Sequence, residues 1–197
     1  MLLIKLIYLK SIFLNVKEGG KMEISVETMS PYNTAIIIDN VNNVNKQLES
    51  IIDNMVEIID NYFKFYPKVF FIDSHTKESK EVKLCGEHCI KRSDKEINKK
   101  LQKYTDARVF EKNCKNAMFI PNFPTWFHRN LNIKNFIIMG YEIDEFARSL
   151  MSYICQHNID MDVIVPENCV AFEDEDYRKV IISLMSKSGI KVCKLVD

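Results

Sequence analysis

Four short stretches of the chain carry side chains suited to chemistry. Asp39 ends the run TAIIID, Asp73 ends KVFFID and is followed by Ser74 and His75, and Lys112 ends ARVFEK. The apolar NFIIM leads into the turn GYEIDEF, residues 140–146. A carboxylate and an ammonium brought together in a pocket shift each other's pKa and can serve as general base and electrostatic partner. The segments DSHTKES (73–79) and CGEHCIKRS (85–93) add a second possibility. Asp73, His75 and His88 offer one carboxylate and two imidazoles to a divalent ion, leaving positions open for water or substrate. An Asp–His hydrogen bond is the simpler meaning of Asp-x-His. Cys85 and Cys89 flank His88, but their spacing lacks the matching second half of a thiolate site.

The elements that must hold these residues follow from periodicity. TAIIID (34–39), KVFFID (68–73), ARVFEK (107–112), NFIIM (135–139), MDVIVP (161–166) and IKVCKLV (190–196) read as six strands. Val44, Leu48, Ile51, Ile52, Met55, Ile58, Ile59 and Phe63 recur at helical spacing. SDKEINKKLQKY (93–104) carries a capping box, Ser93 with Glu96, and predicts a helix. Further helices are expected near 125–132, over about 143–158, and over 176–189, ending at Gly189. Strands alternating with helices predict an α/β domain of three layers, α/β/α, on a six-stranded, mostly parallel sheet. In such sheets ligands bind beyond the carboxyl ends of the strands, where Asp39, Asp73, Lys112 and Gly140 all fall.

Composition narrows the function classes. Of 197 residues, 47% are hydrophobic, and Lys+Arg balance Asp+Glu at 27 each, so nothing steers the surface toward nucleic acid or anionic lipid. Six cysteines without disulfide spacing read as reduced thiols, which places the protein in the cytoplasm. Residues 1–21 stand apart from an expected domain over 22–197. MLLIKLIYLKSIFLNV is interrupted by Lys5 and Lys10 and is too short to span a bilayer. Glu-Gly-Gly before Met22 is what a translated bacterial ribosome-binding site yields, which predicts that translation starts at Met22. A short membrane-associating arm is the other reading.

The motifs resemble those of the isochorismatase-like cysteine hydrolases. AIIIDNVNN is similar to the family's first strand, an aliphatic run followed by Asp and then Gln-Asn; Asp39 and Asn42 match, and Val41 replaces the Gln. DSHTKES with EHCIK resembles the nicotinamidase branch, whose divalent metal (Zn, Fe or Mn) is held by residues matching Asp73, His75 and His88. EKNCKNAMF resembles the segment bearing the catalytic lysine, which puts Lys112 in that role. The resemblance implies a hydrolase of small amides, acting through an acyl-thioester with Asp as base and backbone N–H groups as oxyanion donors.

At the turn the resemblance breaks. The family reads roughly G-x-x-T-D-x-C-V; aligned on Gly140 and Asp144, Ile143 replaces the Thr and Phe146 the nucleophilic Cys. The expectation is therefore a degenerate hydrolase that binds a small amide-like or aromatic ligand. A cysteine-independent hydrolase of C–N or vinyl-ether bonds, using Asp39 and Lys112, is the alternative. Tyr141 and Glu142 are candidate ligand contacts from the turn. Phe123 and Trp126 either line the pocket mouth, as aromatics do in the family, or pack helix on sheet. By analogy with the family, the chain forms a homo-oligomer or pairs with an active paralogue.

Overall fold

A computed structural model describes residues 22–43 and 45–196, apart from the side chain of Cys85. The expectations for residues 1–21 lie outside the described residues. The strands are β1 (Met22–Ser25), β2 (Thr34–Asp39), β3 (Lys68–Asp73), β4 (Arg108–Lys112), β5 (Asn135–Tyr141), β6 (Asp162–Pro166), β7 (Val170–Ala171) and β8 (Lys191–Val196). They form one sheet in the order β1-β8-β6-β5-β2-β3-β4, with β7 beside the end of β5. Every strand pair is parallel. The sheet thus has eight strands where six were expected. β1 and β7 are four and two residues long, too short to leave a periodic signal.

The helices are α1 (Ile52–Tyr62), α2 (Lys80–Cys85), α3 (Asn122–Arg129), α4 (Asp144–Gln156) and α5 (Glu175–Lys187). Two cores sandwich the sheet. Ile52, Met55 and Ile59 of α1 pack on Ile36, Ile38, Phe70 and Ile72 on one face. On the other face, Phe123 and Phe127 of α3, Phe146 and Leu150 of α4 and Met185 of α5 pack on Ala35, Ile37, Val69, Phe71 and Phe110. Burial on both faces explains why β2 and β3 are continuous apolar runs rather than alternating ones. No helix among the described residues is long and apolar enough to cross a membrane.

One expected helix is absent. Residues 93–104 form a short 3-10 segment, Arg92–Lys95, followed by turns. The backbone there is committed elsewhere: Asn43 N–H donates to the Glu96 carbonyl at 2.7 Å, and Asn98 N–H to the Val41 carbonyl at 2.8 Å. Ser93 Oγ donates to the Asp94 carboxylate instead of capping a helix. These long-range bonds tie the segment to the loop after β2 and override its local helical preference. Other boundaries shift by a few residues; the helix at 125–132 is Asn122–Arg129, and α1 begins at Ile52.

Candidate functional site

Successive strand residues face opposite sides of a sheet. Ala35 and Ile37, Val69 and Phe71, and Phe110 all face α3 and α4. Two residues further on, the same rows end in Asp39, Asp73 and Lys112, so three neighbouring strands deliver their last side chains to one place. Asp73 and Lys112 are register partners across β3 and β4. Lys112 Nζ lies 2.9 Å from Asp73 Oδ1 and 3.3 Å from Asp39 Oδ1. Asp39 and Lys112 are buried, and Asp73 is partly open.

Burial alone would lower the Lys112 pKa, but Asp39 and Asp73 outweigh it, so the ammonium is held in its charged form. One ammonium shared between two carboxylates leaves Asp39 under-compensated. Burial pushes its pKa up to about 6 against the pull of Lys112. Asp39 Oδ1 accepts from the Asn40 N–H at 2.8 Å, while Oδ2 has no partner among the described residues.

The surrounding loops are held closely. Asn42 bonds the end of β3 through both ends of its amide: Oδ1 accepts from Asp73 N–H at 2.8 Å and Nδ2 donates to the Asp73 carbonyl at 2.9 Å. Asn40 and Glu142 adopt positive φ, 55° and 49°. Asn40 Nδ2 donates to the Tyr141 carbonyl, which joins the ends of β2 and β5. Gly140, the register partner of Asp39, has φ 128°, and a Cβ there would collide with the Asp39 backbone.

A cavity of about 510 Å³ opens above these strand ends. Asp73, Lys112, Tyr141 and Glu142, expected from the sequence, line it together with His88. Asn40, Glu81, Lys115 and Glu173 line it too and had not been singled out. Glu81 sits in the first turn of α2; the loops that carry the other three are unpredictable from local pattern, though an Asn directly after a strand-end Asp is a recognisable candidate for left-handed backbone. Lys115 Nζ pairs with Glu142 Oε2 at 3.1 Å. Phe123 and Trp126 are not among the lining residues. Phe123 is buried and stacks on Trp126 at 5.8 Å between ring centroids, within the α3 face of the core. Phe146 is also buried, its ring 5.3 Å from Phe71 and 5.5 Å from Phe123.

Donor atoms of Asp73, His75 and His88 all lie within 4.8 Å of one another. His75 is 1% exposed, yet neither ring nitrogen has a partner. Burial lowers its pKa and keeps it neutral. His88 Nδ1 is 2.8 Å from the Gly86 carbonyl, and Nε2 lies 3.9 Å from Glu81 Oε1. Two buried, unbonded imidazole nitrogens fit a cation better than they fit a closed structure.

The chain matches the isochorismatase domain over residues 33–197 and belongs to that family. Among solved structures it is similar to N-carbamoylsarcosine amidase from Thermoplasma acidophilum, at 17% identity and TM-score 0.69, covering 82% of this chain and 96% of that one. A nicotinamidase from Bacillus subtilis has the same identity and TM-score, with 82% and 99% covered. An isochorismatase-like hydrolase from Alkaliphilus metalliredigens follows at 14% and TM-score 0.68, with 83% and 94% covered. At these identities the likeness is one of fold. No curated protein sequence matches the chain.

Proposed function

We propose that this chain is a degenerate member of the hydrolase family, one that binds a small amide-like or aromatic ligand over Lys112 without the covalent thiol step. The packing of Phe146 carries this reading. Its ring fills the aromatic cluster under the strand ends, at the position the resemblance aligns with the nucleophile. No described thiol at the site replaces it. Cys89 lines the cavity, but burial pushes its pKa up to about 11. Burial likewise raises Cys114, whose Sγ donates to the Asn116 carbonyl. Reactive cysteines have lowered, not raised, pKa values.

In this reading the ligand lies over Lys112, whose charge Asp39 and Asp73 hold in place. Asn42 fixes the end of β3 and so the height of Asp73. Asp73, His75 and His88 would hold a divalent ion, which when bound supplies a Lewis acid to an oxygen or nitrogen of the ligand.

A second reading has one observation in its favour. A carboxyl pushed up to about 6, with one oxygen lacking any partner, is suited to proton transfer near neutral pH. A cysteine-independent hydrolase would use Asp39 in this way beside Lys112. Ammonia release from a panel of small amides, nicotinamide included, separates the two. The degenerate reading expects equal background for wild type and Lys112→Ala, with binding detectable by calorimetry only in the wild type. Turnover by the wild type that vanishes in Lys112→Ala would overturn it.

A further inference from the structure

The charge around the cavity is lopsided. Asp73, Glu81, Glu142 and Glu173 line it, and Asp39 joins them through Lys112; among the described lysines and arginines that line it, only Lys112 and Lys115 oppose these five carboxylates. Lys112 is shared between Asp39 and Asp73, and Lys115 faces Glu142. The excess is three negative charges around one open cavity, and a cleft lined by one sign of charge attracts the opposite sign.

A second observation points the same way. Asn40 lines the cavity and is 7% exposed; its Nδ2 is committed to the Tyr141 carbonyl, and its Oδ1 has no donor. Asp39 Oδ2, on the preceding residue, has none either, but Asp39 is fully buried and does not line the cavity. The Asn40 oxygen is an acceptor. Buried acceptors without donors are costly unless a ligand supplies the missing N–H groups. A carboxylate ligand offers no N–H and meets an anionic wall. A neutral amide offers two N–H groups. An amidinium or protonated amine offers more of them, together with the opposite charge.

We infer that the cavity selects small cationic N–H donors, aromatic amidines or amines, over neutral amides and carboxylates. The inference rests on the ligand-binding reading of this site and specifies the chemical class of its ligand. The volume, about 510 Å³, is in the range of pockets for ligands built on one or two rings. A divalent ion at Asp73, His75 and His88 would offset two of the charges but would not satisfy the Asn40 oxygen. Glu173 lies on the loop after β7, which pairs with β5, and is not among the three residues that would hold the ion.

The test uses three probes of nearly equal shape, benzamidine, benzamide and benzoate, with none bearing a pyridine nitrogen to capture a metal. Calorimetry is run on the full chain as purified and again after chelation. The expected result is benzamidine at least tenfold tighter than benzamide in both preparations, benzoate weaker still, and the preference for benzamidine shrinking with salt. Glu173→Gln is expected to weaken benzamidine roughly fivefold and to leave benzamide unchanged. Equal or tighter binding of benzamide or benzoate overturns the inference and leaves the ligand-binding reading standing. A benzamidine preference that appears only after chelation also overturns it, since the cation would then merely replace the metal. Absence of binding by all three probes overturns both.

Discussion

Gly140 and Asp39 are register partners across β5 and β2, and the missing side chain of the glycine lets the two backbones approach at the head of the site. Its φ of 128° is a conformation that L side chains rarely adopt. Gly140→Ala must therefore push β5 away from β2 or twist the turn that carries Tyr141 and Glu142. The expected outcome is a loss of roughly 2–4 kcal/mol in urea denaturation. Ligand binding should fall further than stability does, because Asn40 depends on the Tyr141 carbonyl.

Lys112 neutralises two carboxylates at once, so its removal has a larger effect than breaking one ion pair. Lys112→Met keeps most of the volume but leaves Asp39 and Asp73 without their cation. A destabilisation of about 3–5 kcal/mol is expected at neutral pH. Adding Asp39→Asn to that variant should recover part of the loss, a coupling that a double-mutant cycle reads directly. Additive effects would mean that Asp39 and Lys112 do not interact.

Asp39 gives stability a definite pH dependence. Its pKa in the fold is raised from 3.8 to about 6 by burial, so the protonated form is the one the fold favours. Its contribution is fully present below the unfolded value and is lost as pH rises through about 6. The shift corresponds to roughly 3 kcal/mol. Asp39→Asn, which cannot ionise, is expected to gain stability relative to wild type by about that amount between pH 4 and pH 7. A constant difference across this range would show that Asp39 is not perturbed.

Phe146 connects the site to the core. Its ring touches Phe71 of β3 and Phe123 of α3, so truncation opens a void beneath Asp39 and Asp73. Phe146→Ala should lose about 3–5 kcal/mol, with a calorimetric melting point lower by roughly 10 °C. A much smaller loss would mean that the cluster closes around the gap.

The parts of this architecture that can be read from sequence are those fixed by burial. β2 and β3 show their limits to the residue because apolar runs buried on both faces stop where the sheet does, at Asp39 and Asp73. The same regularity makes Asp39, Asp73 and Lys112 recognisable as strand ends in one row. What fails is decided by long-range pairing. Residues 93–104 have a helix-start pattern, yet their backbone bonds to the loop after β2. Asn40, Lys115 and Glu173 reach the cavity from loops whose paths no local pattern encodes. Phe123 and Trp126 show a different ambiguity: an aromatic on a short helix has the same sequence signature whether it lines a pocket or, as here, packs in the core.

His75 supplies the sharpest handle on the proposed cation site. It is buried with both ring nitrogens unbonded, and unpaired polar atoms in an interior cost about 1–3 kcal/mol each. A divalent ion relieves that cost only in the folded state, since the unfolded chain does not bring Asp73, His75 and His88 together. Ligand linkage then predicts stabilisation of about 2.7 kcal/mol at a hundredfold excess over Kd. For a chain of this size that is a rise in Tm of roughly 5–10 °C when zinc or manganese is added to chelated protein. His75→Ala and His88→Ala should both abolish the rise. His75→Ala should also melt higher than the chelated wild type, because it removes the orphaned nitrogens. A rise that persists in both variants would place the ion elsewhere and leave the buried imidazole of His75 without a partner.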